Sequence, residues 1–111
     1  MKAFVDANPR MVCVVFEDGQ TKLEALLGKY TSNEAEYRAV WFARIKAFEL
    51  GIQLDEICSD SQLVVRQLNH EYAIRKKELL LLALRVWDFT NGQVKFTWVP
   101  RESNLAGRIL G

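Results

Sequence analysis

The chain carries two cysteines, two prolines and one histidine in 111 residues, and its formal charge is only +1. Each scarcity closes off a class of protein. Cys13 and Cys58 sit inside apolar runs, VCVVF and EICSD, with no metal-type spacing. They read as buried free thiols in a reducing compartment, not as a disulfide framework or a zinc-thiolate site. His70 stands alone in a polar stretch, so any metal set here is built from oxygen. The near-neutral total excludes a strongly basic protein and confines any nucleic-acid contact to a local patch. The longest apolar run of the C-terminal half, LLLLAL, is far too short to span a bilayer. The opening lysine and early aspartate do not resemble a signal peptide. No repeat, linker or low-complexity segment breaks the chain. The expectation is one cytoplasmic domain over residues 1–111 with no membrane association, a monomer, large enough to bury a core.

What is present is strongly patterned. MKAFVDA and MVCVVF read as strands, and the Asp18-Gly19 turn signal returns the chain into TKLEALLG, a third strand, although KLEALL alone suits a helix equally. TSNEAEYRAVWFARIKAFELG reads as one helix over residues 31–51. Thr31 caps it, Glu34 reaches back in a capping box, and Gly51 ends it. IQLDEICSD is a fourth strand, and Asp60 and Ser61 can each cap a short helix in SQLVVRQLN. A polar hinge at Asn69, His70 and Glu71 precedes a helix over 74–89. After an Asn91-Gly92 turn, VKFTWV is the last strand, Pro100 stops it, and NLAGRILG forms a terminal helical turn or two. The order βββαβααβα implies an α/β fold with a mixed five-stranded sheet, three antiparallel strands and then parallel ones, flanked by helices.

One residue breaks the pattern. At about 100° per residue, Glu34, Arg38, Lys46 and Glu49 make the solvated face of the long helix, and Glu36 falls opposite with Ala39, Val40, Ala43, Ala47 and Leu50. A carboxylate left there without a partner costs several kcal/mol. A favourable helix-dipole position explains Glu34 better than an inward Glu36. Two aspartates in strands add to the anomaly: Asp6 follows Ala3-Phe4-Val5, and Asp60 closes Ile57-Cys58-Ser59. Turn chemistry at Asp6-Ala7-Asn8-Pro9 and helix capping by Asp60 are the local alternatives. If the first and fourth strands lie parallel and adjacent, both aspartates reach one edge, and Glu36 can join them there. Two like charges about 4 Å apart repel by about 4 kcal/mol at an effective dielectric near 20, so three clustered carboxylates call for a divalent cation. Oxygen ligands suit Mg²⁺ or Mn²⁺.

TSNEAEYRAV, SDSQLVVRQLNHEY and WVPRESNLAGRILG, in that order and spacing, resemble ribonuclease H of the type-1 kind over nearly the whole chain. The resemblance implies a ribonuclease H-like fold and a two-metal endonuclease cutting the RNA strand of an RNA–DNA hybrid. It assigns Asp6, Glu36 and Asp60 as three of four catalytic, metal-holding carboxylates, with Glu36 placed to sense the ribose 2′-hydroxyl. It also matches Thr31, Ser32, Asn33 and Gln62 to nucleic-acid contacts. The chain departs from the family twice. Gly107 stands where the fourth carboxylate is expected, and Glu102, the nearest acid, lies five residues earlier. The glycine-rich loop that relatives carry after the first aspartate is trimmed to Ala7-Asn8-Pro9-Arg10. Weakened cleavage is the expectation, with a catalytically inactive nucleic-acid-binding module, or a related transposase or junction-resolving enzyme, as alternatives.

Arg75, Lys76 and Lys77 open the expected 74–89 helix and are the densest basic run. Between residues 61 and 85 five basic side chains face two acidic ones, a local excess of three positive charges, which suits a phosphate-binding stripe as well as a solvated face. Arg101, in the loop before the last helix, is a candidate for holding phosphate or aiding product release. Trp41, Trp87 and Trp98 lie on apolar stripes and are expected in the core.

Overall fold

The computed structural model describes residues 1–90 and 92–111; Asn91, half of the expected Asn-Gly turn, lies outside the described residues. Strands β1 (Lys2–Asn8), β2 (Met11–Phe16) and β3 (Thr21–Ala25) form the antiparallel meander. The first turn is closed by Asn8, whose Oδ1 accepts from the amides of Arg10 and Met11, both at 2.8 Å. Turn chemistry therefore belongs to Asn8, and Asp6 stays inside the strand. Helix α1 (Ser32–Leu50) leads to β4 (Glu56–Ser59), which pairs parallel with β1. Helices α2 (Gln62–Leu68) and α3 (Lys77–Thr90) lead to β5 (Lys95–Trp98), parallel to β4. A 3₁₀ turn at Arg101–Ser103 and a short α4 (Leu105–Leu110) finish the chain. The sheet order β3-β2-β1-β4-β5 is the mixed five-stranded sheet that the element order implied.

Strand alternation builds two cores. Ala3 and Val5 of β1, with Val12, Val14 and Phe16 of β2, turn to one face and pack on α1. Phe4, Cys13 and Val15 turn to the other, where Ala106, Leu105 and Leu110 of α4 cover them. The small residues Ala39, Ala43 and Ala47 let α1 lie close to the sheet. A single inward face does not describe this helix, because Ala35, Tyr37 and Phe42 are buried as well. α1 is sandwiched between the sheet and α3, so two sides of it are covered. Leu50, expected inward, is 38% exposed near the end of the helix.

Two boundaries move, and one tryptophan is displaced from the core. The fourth strand begins at Glu56 and not at Ile52, because the Ile52 amide still serves the end of α1, donating to the Ala47 carbonyl at 2.8 Å. α3 begins at Lys77 and not at Ile74, since the Ala73 carbonyl is tied back to Gln67 Nε2 at 3.2 Å. Arg75 and Lys76 thus precede the helix. Trp98, expected in the core, is 43% exposed on the edge strand, and its indole Nε1 donates to the Asp60 carbonyl at 3.1 Å. No helix among the described residues is long and apolar enough to cross a membrane.

Candidate active site

In the parallel pair β1–β4, Phe4 is level with Cys58. Two residues further along each strand, Asp6 and Asp60 come level at the carboxyl ends, where open α/β sheets place their ligands. The start of α1 supplies the third acid. The Glu34 amide donates to Thr31 Oγ1 at 3.1 Å, and the Thr31 amide donates to Glu34 Oε1 at 3.0 Å. This capping box fixes where the first turn begins and so lays Glu36 beside the aspartates. One oxygen from each of Asp6, Glu36 and Asp60 lies within 4.8 Å of the others.

Asp6 is buried, Glu36 and Asp60 are half-buried, and their charges oppose one another. Asp6 is 2% exposed. Burial raises its carboxyl above the ordinary range, the neighbouring Asp60 charge raises it further, and Arg101 opposes both. Glu36 is pushed up to about 8, first by burial and then by the charges of Asp6 and Asp60. Asp6 Oδ1 and Glu36 Oε1 are buried without a hydrogen-bond partner. Such oxygens are rare in a folded protein unless something charged or donating meets them. The donor set is oxygen only, and the unpartnered oxygens belong to different elements, so the three residues could hold a divalent metal ion.

Two residues complete the surroundings. Asn104 is fully buried; its Nδ2 donates to the Val5 carbonyl at 2.9 Å and to Asp60 Oδ2 at 3.0 Å, while its Oδ1 accepts from the Ala106 amide at 3.1 Å. It caps α4 and ties that helix to both aspartate-bearing strands. Sequence reasoning passed over this role, and the available signal was only an asparagine just before an apolar helical run. Arg101 Nη1 donates to Asp6 Oδ2 at 2.8 Å and to Asp60 Oδ2 at 3.0 Å. Gly107 is buried on α4 beside that guanidinium, and Glu102 is exposed outside the acidic group.

The expected nucleic-acid residues divide. Thr31 and Asn33 meet Lys76, Glu34, Glu78 and Leu79 around one cleft. Ser32 is exposed at the start of α1, Gln62 is exposed in the first turn of α2, and Arg75 and Lys77 are exposed on either side of Lys76. Two acids, Glu34 and Glu78, face the single cation Lys76 at this cleft, so it is less positive than the basic run alone suggested.

A family profile described as reverse transcriptase-like matches residues 10–110. The chain belongs to the reverse transcriptase-like family. Within it, the ribonuclease H resemblance of the three motifs is borne out by solved structures. RNase H1 from the halophilic archaeon Halobacterium salinarum NRC-1 is 27% identical with a TM-score of 0.82, covering 98% of this chain and 92% of that one. The N-terminal RNase H domain of Rv2228c from Mycobacterium tuberculosis, solved as a fusion with maltose binding protein, is 25% identical with a TM-score of 0.80, covering 98% and 93%. LC11-RNase H1 in complex with an RNA/DNA hybrid shares the fold at 21% identity, with a TM-score of 0.77 and 99% coverage of both chains. Among curated proteins, the bifunctional protein Rv2228c of Mycobacterium tuberculosis is 30% identical over 80 residues, 70% of this chain. The chain spans 22% of the length of that relative.

Proposed function

We propose that this member of the reverse transcriptase-like family is a metal-dependent endonuclease that hydrolyses the RNA strand of RNA–DNA hybrids. The observation that carries the reading is the convergence of Asp6, Glu36 and Asp60 within 4.8 Å, with buried oxygens lacking a partner. Asp6, Glu36 and Asp60 would hold Mg²⁺ or Mn²⁺. When bound, such ions supply Lewis-acid polarisation of the phosphodiester and neutralise charge on the leaving oxygen. Glu36 is also the acid proposed to sense the ribose 2′-hydroxyl, the group that separates RNA from DNA. Thr31 Oγ1 is occupied as a cap acceptor, so its hydroxyl proton remains free to donate to a backbone phosphate. Ser32, Asn33 and Gln62 extend that contact, and Arg75, Lys76 and Lys77 attract the phosphate backbone. The two buried free thiols suit a reducing cytoplasm, and we infer a monomer.

A second reading, a weakened enzyme that chiefly binds, is favoured by one specific observation. Gly107 offers no fourth carboxylate, and an arginine sits on two of the three that remain. Cutting of a labelled RNA–DNA hybrid in Mg²⁺ or Mn²⁺, with duplex DNA alongside, tests the activity. Glu36→Gln is expected to abolish cutting while the protein stays folded, since the amide keeps the shape and removes the charge. Gly107→Asp is expected to cut faster than the parent, and equal rates would discard any role for the glycine. Hybrid bound but never cut, at any concentration of either metal, would leave the binding module as the function.

A further inference from the structure

Arg101 approaches the carboxylates in an unusual way. A single guanidinium nitrogen, Nη1, serves both Asp6 Oδ2 and Asp60 Oδ2, at 2.8 and 3.0 Å. Asp6 is 2% exposed and the Asp60 side chain 13%, yet the Arg101 side chain is 52% exposed. Arg101 therefore bonds the two aspartates from the solvent side, with half of its own side-chain surface open, and so has room to withdraw. The guanidinium also does not finish the job. Asp6 Oδ1 and Glu36 Oε1 remain without a partner, on acids that a second positive charge could still bridge.

Gly107 explains how the arginine fits. Its backbone is ordinary helix and needs no glycine, and glycine inside a helix is less favourable than alanine. A Cβ at this position would come within 3.2 Å of both Arg101 Cζ and Nη1. The space that a side chain at 107 would take is the space the guanidinium uses. Arg101 itself is set by the 3₁₀ turn that follows Pro100, so the side chain leaves the backbone at a defined point.

We propose that Arg101 is a resident cation of the carboxylate cluster, admitted by Gly107, which competes with the divalent ion for Asp6 and Asp60 and must withdraw when that ion is fully bound. This rests on the reading of the three acids as metal-holding residues of a nuclease. It adds a regulatory property: occupancy of the site, and with it cleavage, is set against an internal competitor and so rises only at higher free divalent-ion concentration. Arg101 would act through the site's occupancy and not on the reacting atoms.

The test is Mn²⁺ binding to the intact protein, read from the signal of free Mn²⁺ in electron paramagnetic resonance, for the parent and Arg101→Gln. Competition predicts that Arg101→Gln binds Mn²⁺ about tenfold more tightly, within the range that coupled binding events show. The same variant is expected to melt at a lower temperature in chelator, where Asp6 and Asp60 lose the guanidinium that bonds them, and to gain more from added Mg²⁺ than the parent does. A readout on the parent alone covers the case in which Arg101→Gln does not fold. The Arg101 side-chain N–H signal in nuclear magnetic resonance should move saturably with Mg²⁺, in step with binding. Equal Mn²⁺ affinity in the two proteins, or an Arg101 signal that stays put while Mg²⁺ binds, overturns the competition. If hybrid cutting is retained in that case, the nuclease reading survives it. Failure of both proteins to bind Mn²⁺ and to cut hybrid overturns the two readings together.

Discussion

Glu36 is where a local rule is broken and where the chemistry concentrates. In the folded protein its carboxyl is pushed up to about 8, against an ordinary value of 4.5. Between those two values the folded state keeps a proton that the unfolded state has released. Metal-free protein is therefore most stable at the acid end of this window, and the contribution is lost as pH rises towards about 8. Asp6, raised mainly by burial, acts in the same direction. Denaturant midpoints measured in chelator are expected to fall between pH 5 and pH 8.5, by an amount that Glu36→Gln reduces. Parallel pH profiles for the two proteins would show that Glu36 is already paired in solution. A bound divalent ion favours the charged carboxylate and should flatten the profile of the parent.

Among the elements, α1 does the most to assemble the site, and its first turn is the part that matters. Thr31 satisfies an otherwise orphaned amide and Glu34 satisfies another, which fixes the residue at which the helix starts. A start one residue later would rotate Glu36 by about 100° away from the aspartates. Thr31→Ala is expected to cost about 1 kcal/mol, lowering the thermal midpoint by roughly 4–8 °C, with Thr31→Ser close to the parent. Circular dichroism melts check this, and an unchanged midpoint would mean that packing alone holds the helix start. The lateral fit of the same helix depends on other residues. Tyr37 is fully buried and its hydroxyl donates to Gln67 Oε1 at 2.8 Å, locking α1 to α2.

Across the molecule, the parallel pairing of β1 with β4 is what turns residues 54 positions apart in sequence into neighbours. The sheet and its covering helices also bury both cysteines, Cys13 of β2 beneath α4 and Cys58 within β4. Cys13 is pushed up to about 11 by burial and then by the Asp6 charge, and Cys58 to about 11 by burial and then by Glu56. Neither thiol is exposed beyond 1%, so neither offers a thiolate to a reagent at neutral pH. Native protein is expected to leave a chromogenic disulfide reagent unreacted on the timescale of minutes, with both thiols titrating once denaturant is added. A thiol that reacts within seconds in native buffer would mean that the sheet opens locally.

Much of this was open to inspection in the chain. Caps, turn residues and periodicity act within a few positions, so Thr31, Gly51, the Asp18-Gly19 turn and the strand alternation marked the elements directly. The carboxylates stood out for a related reason: each violates the preference of the element that carries it, and the violation is visible without knowing its neighbours. Boundaries at residues 52 and 74 were less legible, because bonds from the Ile52 amide and the Ala73 carbonyl to neighbouring segments set them. The hand of Asn104 on Asp60, the exposure of Trp98 and the second covered side of α1 were not legible at all. Least legible was Arg101, which reaches Asp6 across 95 positions and enters a space left by a residue that has no side chain. A local pattern can announce that a charge is out of place. Which countercharge answers it depends on the folded chain, because that is a matter of distance in space and of room to fit.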